Sequence, residues 1–249
     1  MREAVIVTTA RTPIAKAFRG AFNRTHGATL MGHAIRHAVA RARVEPGEVE
    51  DVIIGCGVPE GATGFNLARQ AALRAGLPVT TSGTTINRYC SSGLQAISSA
   101  AHRVIVDGVP IMVAGGVEQI SLVAPTTNAT HREEPWLAQH APNLHMPMID
   151  TAEVVARRYG IDRAAQDAYA LESQRRTAAA QQAGRFDAEI VPLPTVKEVA
   201  DKATGTTRLE DVTLAGDEGN RPDTTPEGLA RLEPVRGPGF TITAGNASQ

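Results

Sequence analysis

The sequence lacks most of the features that would place it outside the ordinary globular class. It has only two cysteines in 249 residues, Cys56 and Cys90. That is too few for a secreted fold pinned by disulfides, so a reducing compartment is expected. Excess charge of one sign is missing as well. The 25 Lys and Arg stand against 26 Asp and Glu, and no global field recommends nucleic acid or an anionic membrane as a partner. That sum does not exclude a local basic pocket for a small anion. No apolar run has membrane-spanning length. The opening MREAVIVTTA enters a strand-like run at once, with no basic-then-apolar leader, so neither a membrane span nor a signal peptide is expected. The expected location is cytoplasmic. Internal repeats and low-complexity tracts are also lacking.

What is present suffices for a packed core. Hydrophobic residues make up 42% and charged residues 20% of the chain, within the globular range, and the length fits one or two domains. In the first part strand and helix signals alternate. Ala4 to Thr8 is a short β-branched run, and from Ala28 to Arg43 the apolar Leu30, Met31, Ile35, Ala38 and Val39 recur near helical spacing. Val52 to Ile54 reads as a strand and Asn66 to Ala75 as a helix stopped by Gly76 and Pro78. Thr84 to Asn87, Ser92 to Val106 and Ile111 to Val113 read as strand, helix and strand. This rhythm predicts an α/β layered core with helices on the sheet faces.

After about Ser121 the texture changes. Long irregular stretches are expected around Arg132 to Pro147 and Lys197 to Pro226, with helices at Thr151 to Tyr159 and from Asp162 to Ala183. Loops of this length are usually functional or disordered. With Trp136 and Phe186 among them, an ordered insertion over a site is expected. The division expected is 1–120 for an N-terminal α/β domain and 121–249 for an inserted loop domain whose final strand returns to the core.

The segment NRYCSSGLQA, residues 87 to 96, follows a strand and enters a helix through small residues. At a helix start the unpaired N–H groups and the positive dipole end favour a thiolate, the reactive form of cysteine. Ser91, Ser92 and Gly93 leave room for close approach to the backbone. Two readings therefore fit Cys90: a nucleophile, or a small buried residue of the kind most free cysteines are. Cys56, at the end of an apolar strand, reads as core. His33 and His37 have the i, i+4 spacing of a metal pair but no third ligand nearby, so no metal is expected. The glycines at 55, 57, 61 and 64 form neither a dinucleotide fingerprint nor a P-loop, and no G-x-S-x-G is present.

NRYCSSGLQA resembles the nucleophile segment of the thiolases. The resemblance continues in order through TARTPI (9–14), GVPEG (57–61), ARQAAL (68–73), GGVEQIS (115–121), TAE (151–153), RPDTT (221–225) and TAGNAS (243–248). It covers nearly the whole chain and is similar to the degradative 3-ketoacyl-CoA and acetyl-CoA acetyltransferase branches. The fold it implies is the first α/β half of a thiolase with its inserted loop domain, the second half being absent.

Its implied activity is acyl transfer between acyl-CoA and CoA or acetyl-CoA, through an S-acyl intermediate on Cys90. Coenzyme A would be a co-substrate, with no permanently bound cofactor. Arg221 would approach the nucleotide, Ser248 the pantetheine arm, and Met148 the acyl pocket. The implied partners are acyl-CoA and CoA, in a homodimer or tetramer.

Two departures stand out. The family's M-G-x-T-A-E segment has Ile149 at its glycine, after Pro147 where histidine is frequent. The family's later G-H-P, N-E-A-F and C-x-G segments, which supply base, oxyanion donor and acid, do not occur in these 249 residues. The resemblance thus leaves two expectations beside each other: a thiolase half that works with a second chain supplying those groups, and a truncated, non-catalytic fragment.

Overall fold

The computed structural model describes residues 2–201 and 203–248. Their elements run α1 (Gly27–Ala42), β1 (Asp51–Gly55), α2 (Leu67–Ala75), β2 (Ser82–Ile86), α3 (Ser92–His102), β3 (Met112–Gly116), α4 (Ile120–Val123), α5 (Pro135–His140), α6 (Met148–Tyr159), α7 (Arg163–Gln182), β4 (Leu193–Ala200), β5 (Thr207–Leu214) and α8 (Pro226–Ala230). The chain divides into two compact units. The first holds Met1–Thr127 and Asp187–Glu218, the second Asn128–Phe186 and Gly219–Gln249.

The first unit is built on a parallel sheet in the order β2-β1-β3. The central strand, β1, is buried along its whole length, and its alternating side chains reach opposite faces. Val52 and Ile54 pack with Met31, Ile35 and Val39 of α1 and with Ala68, Ala71 and Ala72 of α2. Ile53 packs on the other face with Ala96 and Ala100 of α3. Reversing the direction of travel between the two crossovers, β1–α2–β2 and β2–α3–β3, places α2 and α3 on opposite faces, as right-handed connections require. The small residues of α3 are thereby used against its own sheet.

α1 begins at His26, whose ring nitrogen accepts the Ala28 N–H, and ends at Arg43 in a left-handed conformation. α2 is capped by Asn66 and closed by Gly76 with φ 92°. Beyond His102 the helix widens into one π turn, Arg103–Asp107, closed by Gly108. His33, on α1, is buried. It lies against the backbone of Val191 and Pro192. Among the described residues no group of three potential ligands could hold a metal ion, and no helix is long and apolar enough to cross a membrane.

Two expectations differ from the structure. Ala4 to Thr8 forms no ladder, and Val5, Ile6 and Val7 are exposed; an extended run becomes a strand only where an edge accepts its hydrogen bonds. The stretch from Lys197, expected to be irregular, is largely an antiparallel hairpin of β4 and β5 in register from Leu193–Leu214 to Ala200–Thr207. Leu193, Val212 and Leu214 pack with Ala21, Phe22 and Leu30. The hairpin therefore belongs to the first unit, and the division at 120 becomes a discontinuous one. Charged residues interleave its apolar ones, which hid the alternation.

The second unit is helical. Its α6 and α7 appear where periodicity and the Asp162 cap predict; the Asp162 carboxylate accepts the Ala165 N–H at 2.8 Å. Residues 241–248 form no strand there, only an isolated bridge between Pro234 and Thr243.

Candidate active site

Ligands of parallel α/β sheets bind beyond the carboxyl ends of the strands. In the first unit that edge is made by Cys56–Val58 after β1, Asn87–Ser91 after β2, and Val117–Gln119 after β3. Cys90 lies in the middle segment, one residue before the Ser91 cap of α3. Its thiol is free and exposed. The other cysteine behaves oppositely. Burial, and then the neighbouring Glu118 carboxylate, push the Cys56 thiol up to about 11, so at neutral pH it stays protonated and inert.

The turn that carries Cys90 is tightly bonded. Tyr89 has φ 49°, a conformation that costs a side-chain-bearing residue free energy. Its N–H donates to Asn87 Oδ1 at 2.8 Å. The buried Ser92 hydroxyl accepts the Arg88 N–H at 2.8 Å and donates to the Tyr89 carbonyl at 2.6 Å. Glycines let the helix start close onto the sheet. A Cβ on Gly55 would lie 2.2 Å from the Ser92 carbonyl carbon, and one on Gly116 would lie 2.9 Å from Gly93 Cα.

In the second unit Arg221 lines a shallow cavity of about 210 Å³ together with Gln174, Thr224, Thr225, Leu229 and Gly245. Gln174 Oε1 accepts both the Arg221 N–H and the Asn220 amide at 2.8 Å. The Arg221 side chain is exposed, and Asp223 lines the same cavity. Gly245, from TAGNAS, joins this lining, whereas Ser248 and Met148 do not; both are exposed, Met148 as the first residue of α6.

That segment is held by the carboxylate of Glu153. The buried Glu153 accepts the Thr241 N–H at 2.8 Å and the Ile242 N–H at 2.7 Å. Burial acts to raise the Glu153 carboxyl. The Ile242 and Thr241 N–H groups, the Thr241 hydroxyl and Arg157 outweigh it, leaving the group below its ordinary value. Its one signal in sequence is its place in TAE. Glu118 has as little local signal, its place in GGVEQIS.

The profile described as Thiolase, N-terminal domain, matches residues 4–249. The chain belongs to the thiolase family. It is 40% identical over 250 residues to the 3-ketoacyl-CoA thiolase of Bacillus subtilis, covering 100% of this chain and 63% of that protein. It is 38% identical over 249 residues to the peroxisomal 3-ketoacyl-CoA thiolase A of Mus musculus, of which it spans 57%. Among solved structures, the Bacillus anthracis acetyl-CoA acetyltransferase superimposes with a TM-score of 0.81 at 35% identity, matching 100% of this chain and 62% of that one. This thiolase chain thus spans about three fifths of such relatives, and its α/β sheet, helices and nucleophile-segment motif fall in the family's N-terminal part.

Proposed function

We propose that this chain supplies the nucleophile and the coenzyme A contacts of a thiolase-type acyl transfer. The observation that carries the reading is Cys90: a free, exposed thiol at the start of α3, on the carboxyl edge of a parallel sheet, while the other cysteine is buried. The Cys90 sulfur attacks the carbonyl carbon of an acyl-CoA thioester or the ketone of a 3-ketoacyl-CoA. In the first case a C–S bond to Cys90 forms, the bond to the coenzyme A sulfur breaks, and coenzyme A leaves and takes up a proton. In the second, a C–S bond to Cys90 forms, the bond between the α-carbon and the ketone carbon breaks, and the acetyl-CoA carbanion takes up the proton lost from the Cys90 thiol and leaves. The acyl group then passes to a coenzyme A thiol, or to the α-carbon of acetyl-CoA with loss of its proton. Arg221 would pair with phosphate of the nucleotide, Ser248 would meet the pantetheine, and Met148 would border the acyl group.

Among the described residues no hydrogen-bond or ion-pair partner of the Cys90 sulfur occurs. This favours, as a second reading, a chain whose turnover depends on groups supplied by another polypeptide or by the longer protein. The assembly proposed is a homodimer or tetramer.

Mass spectrometry after incubation with acetyl-CoA tests the nucleophile common to both readings. Acetyl adduct on Cys90, absent in Cys90→Ala and retained in Cys56→Ala, is expected. If Cys90→Ala labels as fully as the unaltered chain, the nucleophile is elsewhere and the proposal fails.

A further inference from the structure

The carboxyl edge of the sheet holds a chain of hydrogen bonds that runs through all three strand ends and stops at Tyr89, one residue before Cys90. Glu118, two residues past β3, accepts the Gly57 N–H on Oε2 at 2.8 Å and the Val58 N–H on Oε1 at 3.3 Å. The loop after β1 is thereby tied to the loop after β3. The Gly57 carbonyl in turn accepts Asn87 Nδ2 at 3.1 Å, tying the loop after β2 to the same frame. The opposite end of that amide, Asn87 Oδ1, accepts the Tyr89 N–H, and Tyr89 is the residue with the left-handed backbone beside Cys90. A Cβ at Gly57 would lie 2.9 Å from Glu118 Oε2 and 3.4 Å from the Tyr89 carbonyl oxygen, so the three loops meet closely there.

Each link has a definite job. A carboxylate collecting two N–H groups makes charge-assisted bonds and fixes the loop it binds. An asparagine that donates with one end and accepts with the other transmits that position. Ser92, whose hydroxyl donates to the Tyr89 carbonyl, fixes the peptide plane after Tyr89, and the plane before it is fixed by the Asx-type bond of Asn87. Without that bond Tyr89 would relax toward negative φ and swing Cys90 away from the start of α3.

We propose that Asn87 and Glu118 are positioning residues for the nucleophile, holding Tyr89 in its left-handed conformation so that Cys90 is presented at the helix start. This rests on the reading of Cys90 as the acyl acceptor, but its test does not. The rate of Cys90 alkylation by iodoacetamide at pH 8 reports presentation of the sulfur whether or not acyl transfer occurs, with Cys90→Ala as the blank. Acetyl-CoA labelling, run in parallel, reports the function. Asn87→Ala is expected to slow alkylation roughly five- to thirty-fold, the factor by which a left-handed residue without support is depopulated, while the far-UV spectrum is unchanged. Glu118→Gln, which replaces one accepting oxygen by a donor, slows it less.

Tyr89→Gly introduced into Asn87→Ala is the deciding variant. Glycine adopts positive φ without the cost, so most of the lost rate returns. Alkylation of folded Asn87→Ala at the unaltered rate would overturn the proposal, as would loss without recovery by glycine. Should Asn87→Ala not fold, Glu118→Gln against Glu118→Gln with Tyr89→Gly gives the same comparison. Normal alkylation kinetics with no acetyl adduct would instead sink the function and leave the positioning intact.

Discussion

The close approach of α3 to β1 makes Gly55→Ala a sharp test of how the site is built. Gly55 lies on the same face of β1 as Ile53, which packs on Ala96 and Ala100. A methyl group there would sit 2.2 Å from the carbonyl carbon of Ser92, 2.3 Å from its oxygen and 2.5 Å from the Gly93 nitrogen. All three are backbone atoms, so no side chain can rotate away, and at least an ångström of displacement between helix and strand is needed. The φ of Gly55 is ordinary, so the penalty is purely steric. Overpacking of this kind costs about 1–3 kcal/mol and occasionally more, and backbone-to-backbone overlap puts Gly55→Ala at about 3 kcal/mol. Gly47→Ala is the control, since a Cβ there meets nothing within 4 Å. Urea unfolding followed by far-UV circular dichroism should show a lower midpoint for Gly55→Ala alone, with slower alkylation of Cys90 as the start of α3 is pushed outward. If Gly55→Ala is within about 0.5 kcal/mol of the unaltered protein, the ordinary range for uninvolved positions, the packing argument is refuted.

Other outcomes follow from the titrating groups. A thiol reagent at pH 7.5 should count one cysteine in the folded protein and two in denaturant, because only Cys90 is exposed; two rapid thiols in the folded state would contradict the burial of Cys56. Glu153→Ala should destabilise the second unit by about 2 kcal/mol, the worth of buried hydrogen bonds to a charged group, read as a lower midpoint by hydrogen exchange of the Thr241 and Ile242 amides. Because its folded value lies below the unfolded 4.5, the Glu153 contribution is present above about pH 4.5 and is lost as pH falls through the folded value. Glu153→Gln should flatten that acid limb. Burial first, then His37 and Arg36, lower His33 from its usual 6.5. The unfolded chain therefore takes up a proton there before the folded one does, and stability falls as pH drops below about 6.5. His33→Leu should remove that slope between pH 6.5 and 5, and an unchanged slope would show that His33 is not its source.

Local pattern by itself determined much of this protein. The spacing of Leu30, Met31, Ile35 and Val39 predicts α1, Asn66 and Gly76 bracket α2, Asp162 starts α7, and NRYCSSGLQA places a cysteine at a strand-to-helix turn, its exposure being settled by the fold. These are effects of residues a few positions apart, where periodicity and capping operate. The tertiary structure alone decided the rest. The faces of β1 are assigned by which helices cover Val52 and Ile53. The β4–β5 hairpin is assigned to the first unit by Phe22 and Leu30, far earlier in the chain. Val5, Ile6 and Val7 remain unpaired because strand formation requires an edge that no local run can supply. Glu118 and Glu153 became legible only once folding brought Gly57, 61 residues away, and Ile242, 89 residues away, against their carboxylates. A carboxylate's role depends on which N–H groups surround it, and long-range closure of the chain sets those neighbours.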